Sequence, residues 1–247
     1  MNSDATTIFP ASLPGHITKY FPYLLEIRKR LLFAVSLFVT ASIIGFVFYE
    51  RIITFILDFF SLKGVNIVFT TPFQFFTLAL NCSLVVGVVI TIPVLIYQLL
   101  SFLKPALLAK EYRLVVTIMP LALVLFVGGF IYGVTMMKYV VQIFYATSLK
   151  LQIGNILDVE TFLSNILITG LLMGIAFLFP IVITILMQLK LVKHRSFVKQ
   201  RPLAYIIGII FVILLPPPDI MSDLILFAPL VLLFELTLIL NRVFLRR

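Results

Sequence analysis

Glu26 stands four residues before Arg30 in the stretch Leu24-Leu25-Glu26-Ile27-Arg28-Lys29-Arg30, directly ahead of a long apolar run. On a helix that spacing puts carboxylate and guanidinium on one face, where they pair. The same carboxylate could instead take a guanidinium from outside, through a planar charge-assisted contact. Glu111 lies in Lys104-Pro105-Ala106-Leu107-Leu108-Ala109-Lys110-Glu111-Tyr112-Arg113. Its default role is a solvated loop charge, but cations crowd so few carboxylates here that it shares the second reading of Glu26. Phe102 stands beside that loop. As one of 25 phenylalanines it reads first as a packing or lipid-facing residue. Gln98, a turn earlier, is less usual, because a buried amide needs partners.

Glu235 falls inside the last apolar run. An ionisable residue there is a functional candidate by default. The alternative is snorkelling, or pairing with Arg242 or another base. Asp219 follows Pro216-Pro217-Pro218 and suits a helix cap, with Asp223 favouring the first turn behind it. The chain has no Walker A, HExxH or GxSxG pattern. His16 and His194 lie in different segments and Cys82 is the single cysteine, which argues against a metal centre and excludes an internal disulfide. The expectation is a protein with no enzymatic activity, no cofactor and no metal.

The elements that must carry these residues follow from composition. Of 247 residues 62% are hydrophobic and 12% charged, with a mean hydropathy of +1.19. Soluble domains run at about 45–50% apolar and about 25% charged. The bilayer must therefore be the main solvent, which excludes a soluble enzyme, a disordered chain and a rod. The net charge of +9 points to basic loops on one membrane side and not to nucleic acid. Residues 1–30 lack the apolar core of a signal peptide.

A spanning helix needs about 20 mostly apolar residues. The spans are expected at about residues 31–49, 73–103, 114–137, 161–189, 202–216 and 223–241, with residues 1–22 an irregular cytoplasmic segment. The fold class is thus an all-α polytopic membrane protein with six transmembrane helices in a single domain. Helices five and six are expected to be short, and Pro93, Pro120, Pro180 and Pro229 to disturb their helices. The 40 charge-free residues before Lys104 are read as a loop and one long helix, because residues 79–92 hold no tight-turn pair. Six spans put 15 of the 19 Lys and Arg on one side and leave Arg51, Lys63, Lys138 and Lys150 on the other. By the positive-inside rule both termini face the cytoplasm or its organellar equivalent. No internal repeat is visible, which weakens an inverted-repeat transporter.

Four stretches together resemble one family, the TatC subunit of the twin-arginine protein translocase. Leu25-Glu26-Ile27-Arg28-Lys29-Arg30 is similar to its H-L-x-E-L-R-x-R motif. Tyr97-Gln98-Leu99-Leu100-Ser101-Phe102-Leu103-Lys104-Pro105-Ala106-Leu107, with Glu111 and Arg113, resembles its Y-Q-x-W-x-F-x-x-P-x-L stretch and acidic loop. Leu215-Pro216-Pro217-Pro218-Asp219 resembles its T-P-P-D turn, and Phe234-Glu235 its F-E pair. The resemblance implies a multi-pass plasma (inner) membrane protein, or its organellar counterpart, that binds Arg-Arg signal peptides of folded cargo. It implies single-span TatA/TatB-type partners, an oligomeric complex and drive by the proton-motive force. Carried over by position, Glu26, Arg28, Phe102 and Glu111 form the signal-peptide patch, and Gln74, Gln98, Asp219 and Glu235 are partner-facing or structural polar groups. Two positions depart from the pattern. Leu178 replaces the usual acid before Phe179-Pro180, and Gln74 stands in Pro72-Phe73-Gln74-Phe75-Phe76 where Glu is commoner. A small-solute secondary transporter or channel is the alternative. It would need a charged midplane pathway, and the spans offer only Asn81, Ser83, Asn165 and Thr169.

Overall fold

In the computed structural model the described residues are 15–60, 66–68, 70–103, 109–150, 156–188, 198–216 and 219–244. They form eight helices and two three-residue strands. In chain order these are α1 (Gly15–Val47), α2 (Tyr49–Phe60), β1 (Asn66–Val68), α3 (Gln74–Leu103) and α4 (Ala109–Lys150), then β2 (Ile156–Asp158), α5 (Val159–Ala176), α6 (Phe179–Gln188), α7 (Arg201–Ile213) and α8 (Ile220–Phe244). Among the described residues five segments are long and apolar enough to cross a membrane: Leu25–Val47, Gln74–Leu99, Val116–Phe144, Val159–Met187 and Ile220–Arg242. Helix α7 is apolar but has 13 residues. At 1.5 Å per residue it is about 20 Å long, against a hydrocarbon core of about 30 Å.

Several boundaries differ from expectation for physical reasons. Helix α1 begins at Gly15, so residues 15–22 are helical and not irregular. Residues 49–60 form a helix of their own, with Ile52, Ile53, Ile56 and Phe60 at i, i+3 and i+4 spacing turned toward the core. Helix α3 is one helix through Pro93. Helix α4 runs past Lys138 to Lys150, 42 residues in all. That is about 63 Å, twice the hydrocarbon thickness, so it projects well beyond the bilayer. A lysine ends an apolar run without ending a helix.

The fourth expected helix is two. Pro180 has no N–H to return to Ala176, so regular bonding fails just ahead of it. The Leu178 N–H turns to the Ile175 carbonyl at 3.0 Å, and α6 restarts at Phe179. The sixth helix is not short: α8 has 25 residues, because Asp223, Glu235 and Arg242 stay within it. Helix α7 ends at Ile213, three residues earlier than expected, and residues 217–218 of the proline run lie outside the described set.

Two surfaces of close contact organise the bundle. Gly129-x3-Gly133 on α4 faces Gly170-x3-Gly174 on α5. A Cβ at Gly133 would lie 2.8 Å from the Gly170 Cα and 3.0 Å from the Thr169 carbonyl oxygen. Small residues at this spacing let helix backbones approach in a membrane, where van der Waals packing replaces the hydrophobic drive. Around this crossing Cys82, Met137, Leu163 and Ile166 form the main core with Phe60 and Phe162, whose rings meet edge to face at 5.3 Å. The second contact joins α1 to α3, where the Ser83 hydroxyl donates to the Ser42 carbonyl at 2.6 Å. Large apolar side chains such as Phe33, Ile43, Leu123 and Leu232 stay exposed, as lipid-facing residues do.

Candidate functional site

Among the described residues the polar groups gather mainly at three places. The first lies on the basic face. Arg30 donates from Nη2 and Nε to Glu26 Oε1 at 2.6 and 3.2 Å. It also donates from Nη1 to the Gln98 carbonyl oxygen at 2.7 Å, and Nη2 reaches Ser101 Oγ at 3.5 Å. One guanidinium thus ties α1 to the last turn of α3. It gives the Gln98 carbonyl a charged donor near the C-terminal end of α3, where a cation also suits the macrodipole. Both Arg30 bonds to Glu26 converge on Oε1, and the Glu26 side chain is 41% exposed.

The i, i+4 pair is therefore present, and its cross-link to α3 is what sequence spacing could not foresee. Gln98 takes part through its backbone and is half-buried. Arg28 is exposed. Phe102 lies in the last turn of α3 and Glu111 in the first turn of α4, and their side chains are outside the described residues.

The second group lies at the opposite ends of α3 and α5. The Gln74 amide nitrogen donates to Asp158 Oδ2 at 2.6 Å, while its oxygen accepts from the Thr70 and Thr71 backbone N–H groups at 2.7 and 3.1 Å. The Thr70 hydroxyl donates to the same Asp158 oxygen at 2.5 Å. Asp158 Oδ1 caps α5 by accepting from the Thr161 N–H at 2.9 Å. Strands β1 and β2 pair in parallel just ahead, Val68 opposite Asp158. These donors, the Thr161 N–H first and the Thr70 hydroxyl next, hold the Asp158 carboxyl down at about 2. A glutamine suits this position, because its amide nitrogen donates to a carboxylate oxygen. Folded Asp158 is the stronger acid, so its contribution to stability is complete above its ordinary value near 3.8 and disappears as pH falls through about 2. Gln74→Glu removes a donor and adds a like charge. Its expected effect is to raise a carboxyl pKa in the pair and to make the variant lose stability as pH rises, opposite in sign to the parent. Thermal midpoints of both proteins in detergent between pH 3 and pH 7 check this; parallel profiles would refute it.

The third group joins α7 to α8. Arg201 Nη2 meets Glu235 Oε2 at 3.1 Å and the Tyr205 hydroxyl donates to Oε1 at 2.5 Å. Glu235 therefore pairs with Arg201 and not with Arg242. Nearby, Asn241 donates to Thr184 Oγ1 at 3.0 Å, which ties α8 to α6. Asp219 caps α8: its carboxylate accepts from the Ser222 N–H at 2.8 Å and from the Ser222 hydroxyl at 2.5 Å.

Sequence reasoning did not foresee the contacts of three groups. Lys138 donates to the Phe59 carbonyl at 2.7 Å and so supplies the cation that the last turn of α2 lacks. Thr169, fully buried, donates to the Pro216 carbonyl at 2.5 Å. The facing glycine pairs of α4 and α5 were visible as two GxxxG spacings inside apolar runs. Among the described residues no cluster of three His, Cys, Asp or Glu is arranged to hold a metal. The polar contacts join one helix to another, and the arrangement is that of an α-helical polytopic membrane protein whose buried polar groups serve assembly of the bundle.

Comparison with known proteins makes the class specific. The family model for the Sec-independent protein translocase protein (TatC) matches residues 22–229, and the chain belongs to that family. The TatC protein of Rickettsia prowazekii is 30% identical over 225 residues, covering 88% of this chain and 90% of that one. TatCy of Bacillus subtilis is 26% identical over 226 residues, covering 89% and 87%. A crystal structure of a twin arginine translocase receptor, TatC, superposes with a TM-score of 0.77 at 25% identity, covering 89% of this chain and 98% of that one. The protein is thus a membrane-embedded component of a protein translocase, not an enzyme.

Proposed function

We propose that this chain is the receptor of its translocase. It reads the arginine pair of a cargo signal peptide on its basic face with Glu26 and Glu111, and Arg28 and Phe102 complete the patch. Six crossings, α7 being the shortest, leave both termini on that face. TatA/TatB-type single-span proteins join it in an oligomeric complex. The observation that carries the reading is the Arg30 clamp. It fastens Glu26 beside Ser101, the residue before Phe102, while engaging only one carboxylate oxygen. The second oxygen is left to accept a guanidinium, and two carboxylates at one end of the bundle suit two arginines. Arginine is favoured over lysine by its planar fork of donors.

The transporter reading is weaker. The described cavities are lined by apolar residues apart from Tyr205, and the membrane-embedded polar contacts join helices. The test is photo-crosslinking from a probe at position 26, and separately at 111, to signal peptides carrying Arg-Arg or Lys-Lys. Crosslinks that favour Arg-Arg are expected at both. Their absence at both, in correctly inserted protein, would overturn the site.

A further inference from the structure

The wedge between the α5–α6 break, α7 and α8 plays no part in the receptor reading, yet it holds a half-open cavity of about 180 Å³. Its walls include Ala176, Pro180, Ala204, Gly208, Phe227 and Leu230, and Tyr205 is its one residue with a polar side chain. Ile175, Phe179 and Ile207 at its edge are exposed, so the opening faces the membrane.

About one helical turn from Ala204, the wall becomes cationic. Arg201 remains 41% exposed although it pairs with Glu235, and Lys199 is exposed. Gln200 makes no side-chain capping bond to α7, so the positive end of that helix points the same way. Both Glu235 oxygens are engaged, by Arg201 and Tyr205. Lys199 and Arg201 against the single Glu235 leave the described lip positive.

An apolar slot with a cationic lip, open to the bilayer, fits an amphiphile of negative head. We propose that the wedge binds one anionic phospholipid, with part of an acyl chain in the cavity and the phosphate at Lys199 and Arg201. The lip selects this occupant, because Lys199 and Arg201 stand at the mouth of an otherwise apolar slot, where an anionic headgroup is matched by charge and an apolar partner helix is not. A cavity of about 150 Å³ is of the size that takes a small hydrocarbon. A bound lipid would also compensate for the shortness of α7, because a headgroup drawn to its N-terminal end meets the bilayer thinning that a short helix imposes.

The test is native mass spectrometry of the full chain in detergent, offered equal amounts of dioleoylphosphatidylglycerol and dioleoylphosphatidylcholine. The expected result is preferential retention of the glycerol lipid. Lys199→Gln should lower that preference about fivefold, the worth of one basic residue at an anionic membrane surface. Ala204→Phe fills the slot and should remove most of the bound lipid; if that variant fails to fold, Ala176→Leu narrows the opposite wall for the same readout. Equal retention of the two lipids by the parent would overturn the proposal. So would lipid retention unchanged by filling the slot, and so would the loss of a co-purified single-span protein in its place, which would assign the cavity to a partner's side chain.

Discussion

Gly133→Leu is expected to separate α5 from α4 and to prevent recovery of folded protein. The reason is that a side chain at Gly133 would push against backbone and the Met173 Cβ, which no change of rotamer moves. Its Cβ alone would sit 2.8 Å from the Gly170 Cα and 3.0 Å from the Thr169 carbonyl oxygen, and neither can rotate away. Overpacking a core costs typically about 1–3 kcal/mol when side chains can adjust. Here the helices themselves must part. That would also pull Thr169 from the Pro216 carbonyl and disturb the core around Leu163 and Ile166. Gly133→Ala should already lower the thermal midpoint, and leucine should exceed it. Gly128→Leu is the control, since a Cβ there meets nothing within 4 Å and the side chain would enter lipid. Equal folded yields for the leucine variants at 128 and 133, by size-exclusion chromatography in detergent, would refute the argument.

The membrane segments were legible because lipid imposes one rule on all of them: a long charge-free stretch must become a helix. That rule locates Gln74–Leu103 as one helix through Pro93. It says nothing about where a helix stops once outside the bilayer. Hence α1 reaches back to Gly15, α4 continues to Lys150, and α2 escaped notice with only 12 residues and three charged ones. The amphipathic spacing of Ile52, Ile53, Ile56 and Phe60 was the available signal.

Polar pairings were less legible the farther apart their residues lie in sequence. Glu26 with Arg30 and Asp219 capping α8 lie within four residues of their partners. Glu235 with Arg201 and Gln74 with Asp158 span 34 and 84 residues, and only packing decides such partners. Gln74 is instructive, because its identity looked like a departure until Asp158 appeared beside its amide. Leu178 has a comparable explanation only in part. It lies at the α5–α6 break, beside the wholly apolar Phe179 and Pro180 wall of the wedge, where a carboxylate would need a partner the described neighbours do not supply.

Glu26→Lys should weaken binding of an Arg-Arg signal peptide by about 10- to 150-fold, the worth of one charge-assisted hydrogen bond of about 1.5–3 kcal/mol. The same substitution removes the Glu26–Arg30 pair, so an effect on the fold has to be separated from an effect on the ligand. Magnitude separates them. An i, i+4 pair as exposed as this one is worth about 0.3–0.5 kcal/mol, so the thermal midpoint should hardly move. Arg30→Gln supplies the opposite test. It breaks the clamp on the Gln98 carbonyl and loosens α1 from α3, yet leaves the Glu26 charge free for the peptide. If Glu26 acts as receptor carboxylate, charge reversal at 26 must reduce affinity far more than it reduces stability, and Arg30→Gln must do the reverse. Affinity should also fall with rising salt, because a half-exposed carboxylate is screened within about 10 Å at 0.1 M. Isothermal titration with a peptide carrying Arg-Arg, repeated with Lys-Lys, reads the affinities, and thermal midpoints in detergent read the stabilities. Equal affinities for the parent and Glu26→Lys would leave Glu26 as the anchor of Arg30 alone, and the arginine pair would have to be read elsewhere on the basic face.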